Sequence, residues 1–164
     1  MRELSLEGVQ FLQSEEAEAL LATLAERLAT GTDALALLGT LREQHGYDPD
    51  RAGWLLDQAQ LRRKAVGKLP SPELLLLNEE ALQQASGAEV AGWRAARFAG
   101  RARVLDLCAG IGGDTIALAQ AGVEVLAYEQ DPVRAALLSH NVQVLGLADA
   151  VTVRAADWTA ASDA

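Results

Sequence analysis

Three carboxylates and a short run of glycines are the residues of this chain best placed to do chemistry. Asp106 stands at the end of the apolar stretch Val104-Leu105, just before Cys108, Gly110, Gly112 and Gly113. Glu129 closes a second apolar stretch, Val123 to Tyr128, and Asp157 follows a third, about Ala150 to Arg154. Glycines without a Cβ let the backbone take positive φ and let a ligand approach it closely. The residues after them, Thr115 to Gln120, read as a helix whose first N–H groups are free to meet that ligand. An acid at the tip of the next strand, about 20 residues past such a loop, is the usual partner of ribose hydroxyls. The spacing is not the G-x-G-x-x-G of nicotinamide and flavin sites. A carboxylate at Asp106 would repel a pyrophosphate and suit a ligand that carries a cationic amino group, as S-adenosylmethionine does.

These residues need strand tips on a common edge to converge, and the pattern supplies them. Strand, glycine turn, helix, strand, helix and strand follow one another from about residue 102 to 158, the second helix running from Val133 to Leu145 behind an Asp131-Pro132 start signal and closing at Gly146. Asp131 therefore fits as a helix cap, while Glu129 is the candidate ribose acid.

Asp106 to Asp114 followed by Tyr128-Glu129-Gln130-Asp131-Pro132 resembles the class I S-adenosylmethionine-dependent methyltransferases. The D-x-C-x-G-x-G-G form is similar to that of the trimethylguanosine synthase-like family and of bacterial relatives with a THUMP-like tail. The resemblance is firm over about residues 102 to 158 and weaker over about 62 to 98. It implies an α/β fold: an N-terminal helical region, residues 1–98, followed by a partial Rossmann-like methyltransferase domain, residues 99–164, that holds the first three parallel strands. It implies that Gly110, Gly112 and Gly113 wrap the methionine part of the cofactor and that Asp106 meets its amino group. Glu129 would accept both ribose hydroxyls, Asp157 the adenine amino group, and the backbone N–H of Trp158 would meet a ring nitrogen. The Trp158 ring packs either on the adenine or on the protein. Cys108 stands where many relatives have a glycine and reads as a small buried filler in the loop, not a nucleophile. The nearest family implies an RNA acceptor, a guanine exocyclic nitrogen. The N/S/D-P-P-[YFW] motif that holds such a nitrogen does not occur here, so no catalytic residue is assigned. Three strands are fewer than the seven of that family, which implies about 80–100 further residues and a chain that by itself is inactive or nearly so.

Composition sets the outer bounds. The chain has 164 residues, half of them apolar, enough to bury a core. A net charge of −9 spread along the sequence argues against a nucleic-acid clamp built from this segment alone. The single cysteine permits no internal disulfide and fits a cytoplasmic setting. No apolar run reaches the ~18–20 residues of a membrane span. His45 and His140 have no metal-ligand spacing.

Ahead of the glycine loop the pattern is helical. Residues 1–13 read as a weakly patterned lead-in. Ser14-Glu15-Glu16 starts a helix with Leu20, Leu21, Leu24 and Leu28 on its apolar side, and Thr32 is the expected cap of the next. Asp48-Pro49 starts a third helix running to about Val66. Leu74 to Leu77 reads as a short buried strand or an extended segment, Asn78 as the start of a short helix, and Glu89 to Phe98 as another helix. Arg62, Arg63, Lys64 and Lys68 form the basic cluster: either a contact for RNA phosphates or a solvated helix face, the net acidity favouring the second. Arg94, with Trp93 and Arg97, either meets the cofactor's carboxylate or packs its helix on the sheet. Beside the RNA-directed enzyme stand a methyltransferase of a small molecule or protein and a non-catalytic S-adenosylmethionine-binding module. An oxidoreductase on the same sheet is disfavoured by the glycine spacing.

Overall fold

The computed structural model describes residues 2–160. Helices α1 (Leu6–Leu12), α2 (Glu15–Ala29), α3 (Ala34–Glu43) and α4 (Pro49–Ala65) come first, then α5 (Glu79–Gln84) and α6 (Ala88–Ala96). Strands β1 (Arg103–Asp106), β2 (Glu124–Glu129) and β3 (Val151–Ala155) alternate with α7 (Gly113–Gln120) and α8 (Pro132–Val144), and a 3-10 turn spans Trp158–Ala160. The sheet is parallel in the order β1-β2-β3. This is the expected α/β arrangement of a helical region ahead of three parallel strands. Met1 and residues 161–164, the outer ends of the two expected segments, lie outside the described residues.

Capping chemistry fixes most helix starts. Ser14 Oγ accepts from Ala17 N, Asn78 Oδ1 from Ala81 N, and Asp48 and Asp131 each hold two N–H groups ahead of a proline. Two expectations change. The lead-in contains α1, capped by Ser5, whose Oγ accepts from Gly8 N, with Val9 and Leu12 buried at helical spacing. Asp33, not Thr32, caps α3, because its carboxylate reaches both Leu35 N and Ala36 N.

A leucine-rich core joins α1 to α4 and reaches Leu75, Leu76 and Leu77; it also takes in Ile111 of the glycine loop and Leu137 of α8. A second cluster of smaller residues, including Ala109, Ala119, Ala127 and Leu138, lies around the sheet. Residues 74–77 form no strand. They run extended, and side-chain amides take the place of a neighbouring strand. Asn141 Oδ1 accepts from Leu76 N at 2.8 Å and its Nδ2 donates to Leu76 O, while Gln58 brackets Leu77 in the same way. Asn141 also donates to Ile111 O at 3.1 Å, tying the helical region to the glycine loop through α8.

The basic cluster is a solvated helix face only in part: Arg63 and Lys64 are exposed, Lys68 is half-buried, and all four cations have partners. Arg62 is buried, donates to Leu75 O and pairs with Glu18 through both Nη atoms. Arg63 donates to Leu28 O, Lys64 pairs with Glu79, and Lys68 donates to Leu82 O and Gln83 O at the end of α5. Strand β1 is also more open than a buried strand. It pairs with β2 alone among the described strands, and Leu105 is 42% exposed.

Candidate cofactor site

The register sets the strand tips side by side: Asp106 is opposite Ala127, and Glu129 is opposite Ala155. Past β1 the chain stays zipped to β2 for one further bond, Ala109 N to Tyr128 O at 3.0 Å, and then turns. Gly110 at φ +57° and Gly112 at φ +102° make that turn, a conformation open to glycine and strained for other residues. Around it lies a cleft of about 430 Å³ lined by Asp106, Cys108, Gly110, Gly113, Glu129, Asp157 and Trp158. Seven of the eight residues singled out from the sequence thus share one cavity.

Gly112 does not line it. A Cβ there would lie 2.6 Å from Leu138 Cδ1 and close to Ile116, so this glycine is required by close packing on the protein side of the loop. Gly110 has open space where its Cβ would stand. Cys108 is exposed, contrary to the reading of it as a buried filler, because it sits on the cleft side of the turn.

Each acid has a distinct environment. Glu129 is 6% exposed, and a carboxylate so buried needs partners. Its Oε2 accepts from Gly110 N and its Oε1 from Asp131 N, both at 2.9 Å. Each oxygen keeps a second lone pair for a ligand hydroxyl. Asp106 Oδ2 accepts from Thr115 Oγ1 at 2.6 Å. Burial pushes the Asp106 carboxyl above the usual carboxylate range, against the Thr115 hydroxyl and the Cys108 N–H, which favour its charge; the charges of Asp114 and Glu129 push it the same way as burial. Asp157 is exposed, and its Oδ1 accepts from the hydroxyl and the N–H of Thr159, which lowers its pKa. That bonding makes the turn that presents Trp158, which is 40% exposed on the cleft wall.

The opposite wall was not legible in the sequence. Glu80 and Gln84 of α5, with Ser86 after it, line the cleft facing the loop. Gly113 makes this possible: a Cβ there would stand 3.3 Å from the backbone N and O of Ser86. Arg94 is ion-paired with Asp114 and donates to Ser86 Oγ, so it fastens α6 to the start of α7. Trp93 is 67% exposed and stacks with Arg97, away from the cleft. Gln130 and Arg134 complete the lining on the α8 side. His140 lies against Leu74 O, and among the described residues no group of three His, Cys, Asp or Glu side chains could hold a metal ion. Nor is any described helix long and apolar enough to cross a membrane.

Comparison with known proteins agrees with this geometry. Residues 101–163 match a family model described as RNA cap guanine-N2 methyltransferase, and residues 5–65 match a domain of unknown function. Proteins from two strains of Mycobacterium tuberculosis, each named an uncharacterised S-adenosylmethionine-dependent methyltransferase, are 43% identical over 104 residues, which is 60% of this chain and 29% of theirs. The chain thus spans less than a third of the length of these curated relatives. The crystal structure of a candidate methyltransferase from Porphyromonas gingivalis W83 superposes with a TM-score of 0.67 at 22% identity, over 89% of this chain and 36% of that one, and so shares the fold of the helices as well as the sheet. Glycine loop, acidic strand tips, family match and relatives agree in one direction: residues 101–163 form a partial Rossmann-like domain similar to the class I S-adenosylmethionine-dependent methyltransferases related to the trimethylguanosine synthase-like family.

Proposed function

We propose that this chain holds S-adenosylmethionine in the cleft at the strand tips and forms the cofactor-binding part of a methyltransferase. The observation that carries the reading is the convergence of Asp106, Glu129 and Asp157 with the glycine turn on one cavity. The donor set fits the cofactor: two partly satisfied carboxylates, an open backbone at Gly110 and an aromatic wall at Trp158 suit a cationic amino acid joined to a nucleoside. In this reading Glu129 accepts from the ribose hydroxyls, and the two backbone N–H groups that grip it keep it aimed. Asp106 and the backbone of Gly110 and Gly113 hold the methionine part, and Gly112 shapes the bend. Asp157 and the Trp158 N–H meet the adenine, with Cys108 on the rim.

When bound, S-adenosylmethionine supplies a methyl group on a positively charged sulfur, open to in-line attack. The work of the protein is then to position and to exclude water, which needs few catalytic side chains. Residues 1–98 act as an accessory region whose α5 builds the outer wall, and residues 99–164 as the cofactor-binding core. The matched family supports an RNA guanine amino nitrogen as acceptor. The basic cluster lends that acceptor no support, since its four cations are engaged by Glu18, Glu79 and backbone carbonyls. A small molecule or protein as acceptor is the second reading, favoured by that engagement and by the net charge of −9. The lone thiol supports a cytoplasmic setting.

Titration calorimetry tests the cofactor. Saturable binding of S-adenosylhomocysteine with no heat from NAD is the expected result. Binding of NAD alone would overturn the assignment.

A further inference from the structure

The negative charge of the chain is spread along it with one exception. Residues 90–105 hold Arg94, Arg97, Arg101 and Arg103 and no Asp or Glu, in a sequence of net charge −9. Arg94 is ion-paired with Asp114, and Arg103 with Glu124. Arg97 and Arg101 are exposed, and among the described residues neither is in an ion pair. The same stretch exposes apolar side chains: Trp93, Val90 and Phe98 all stand in solvent. The helix explains the placement. Ala91 and Ala95 are the buried side of α6. At 3.6 residues per turn, Val90, Trp93 and Arg97 fall on the opposite side, within about 60° of one another. The Arg97 guanidinium lies over the Trp93 ring, 5.3 Å from its centroid. None of these three residues lines the cofactor cleft.

We infer that this face of α6, with Arg101 just beyond its end, binds a short stretch of single-stranded RNA, one base stacking on Trp93 and the phosphates meeting Arg97 and Arg101. The chemistry selects the partner. An unpaired arginine calls for an anion, and its planar fork suits a phosphate. An exposed tryptophan calls for a flat apolar face, and a nucleobase offers one. An acidic peptide would satisfy the arginines and leave the Trp93 ring in water. A duplex carries the phosphates but keeps its bases stacked inside, out of reach of Trp93. A single strand uses both features at once. The face also adjoins the cofactor cleft: Arg94, next to Trp93 on the helix, holds Asp114 and Ser86, which line that cleft. The inference goes beyond the proposed function. It concerns a surface outside the cleft and stands whichever atom accepts the methyl group.

Fluorescence anisotropy of a labelled oligouridylate of about ten nucleotides, titrated with the whole chain at several salt concentrations, tests the inference. Uridylate lacks the adenine that the cleft would recognise. Trp93→Ala is expected to weaken the oligonucleotide about ten-fold and to leave inorganic polyphosphate, which has no bases, unchanged. The double variant Arg97→Gln, Arg101→Gln is expected to lower the slope of log affinity against log salt by about 1.4, for two lost phosphate contacts. Binding of S-adenosylhomocysteine, measured by calorimetry, should be the same in every variant. Unfolding temperatures identify a variant that fails to fold, and Trp93→Leu then replaces Trp93→Ala. Four results would each overturn the inference: no binding of the oligonucleotide by the unaltered chain, equal affinity in the tryptophan variant, displacement by excess S-adenosylhomocysteine, or equal competition from a polyglutamate peptide. So would a dimer in sedimentation that Trp93→Ala disperses, since the face would then meet a second copy. Because the cofactor is measured separately, all of these leave the cofactor reading standing.

Discussion

The helical region and the sheet region treat their polar groups in opposite ways. In α1 to α4 and the segment that follows them, each cation of the basic cluster has a partner, the Gln58 amide is doubly engaged, and the core is built from large leucines. In the sheet region the core is largely alanine and valine, both outer strands have an unpaired edge among the described strands, and partly satisfied carboxylates line a cleft. A saturated region contributes stability, whereas a region with unspent donors and acceptors is prepared for a ligand. The two are not independent, because Asn141 and Ile111 fasten the glycine turn to the leucine core.

The sharpest way to break this contrast is at the fastener. Asn141→Ala strands one N–H and two carbonyls in a buried place, and should lower the unfolding free energy by roughly 3–5 kcal/mol, read by urea denaturation. A loss below about 1 kcal/mol would mean that the regions stand without it. Glu129→Ala should instead show in binding, with about 1–3 kcal/mol of affinity for S-adenosylhomocysteine lost by calorimetry.

Asp106→Asn should separate the two properties. With its pKa raised in the fold, Asp106 favours folding only when protonated. That contribution is fully present below the ordinary value of ~3.9 and is lost as pH rises through the folded-state value. At neutral pH the neutral amide should therefore fold slightly better, by less than about 1 kcal/mol, and bind cofactor worse. The gain in stability should vanish as the pH is lowered below ~4, measured by thermal melts across pH.

His140 gives the converse sign. Burial lowers its pKa, so the unfolded chain takes up the proton first, and stability falls as pH drops below ~6.5 toward the folded-state value. His140→Gln should flatten that part of the stability profile. Smallest of all is Lys64→Ala: its pair with Glu79 is exposed, and the loss should stay within about 0.5 kcal/mol by denaturation.

What the sequence made legible was local. Caps at Ser14, Asp48, Asn78 and Asp131 act on residues two or three positions away, and the glycine turn with its following acid is one strand–helix–strand unit. Asp33 outcompetes Thr32 because a carboxylate reaches two N–H groups, a distinction finer than the pattern. The features missed depend on distant pairings. Leu76 meets Asn141 sixty-five positions later, which is why residues 74–77 are extended without a strand partner. Arg62 reaches Glu18 across two helices, so a cluster of cations that looks solvated is partly interior. The α5 wall of the cleft depends on the fit of Ser86 against Gly113, which no spacing rule encodes. Gly112 belongs to the motif but serves the packing of α7 on α8, while Gly110 serves the cleft.

The most direct test is a crystal structure of the chain with S-adenosylhomocysteine. The account predicts the ribose hydroxyls within hydrogen-bonding distance of the Glu129 carboxylate and the amino acid over the glycine turn. A nucleoside bound elsewhere, or bound in the cleft with Glu129 turned away from the ribose, would contradict it.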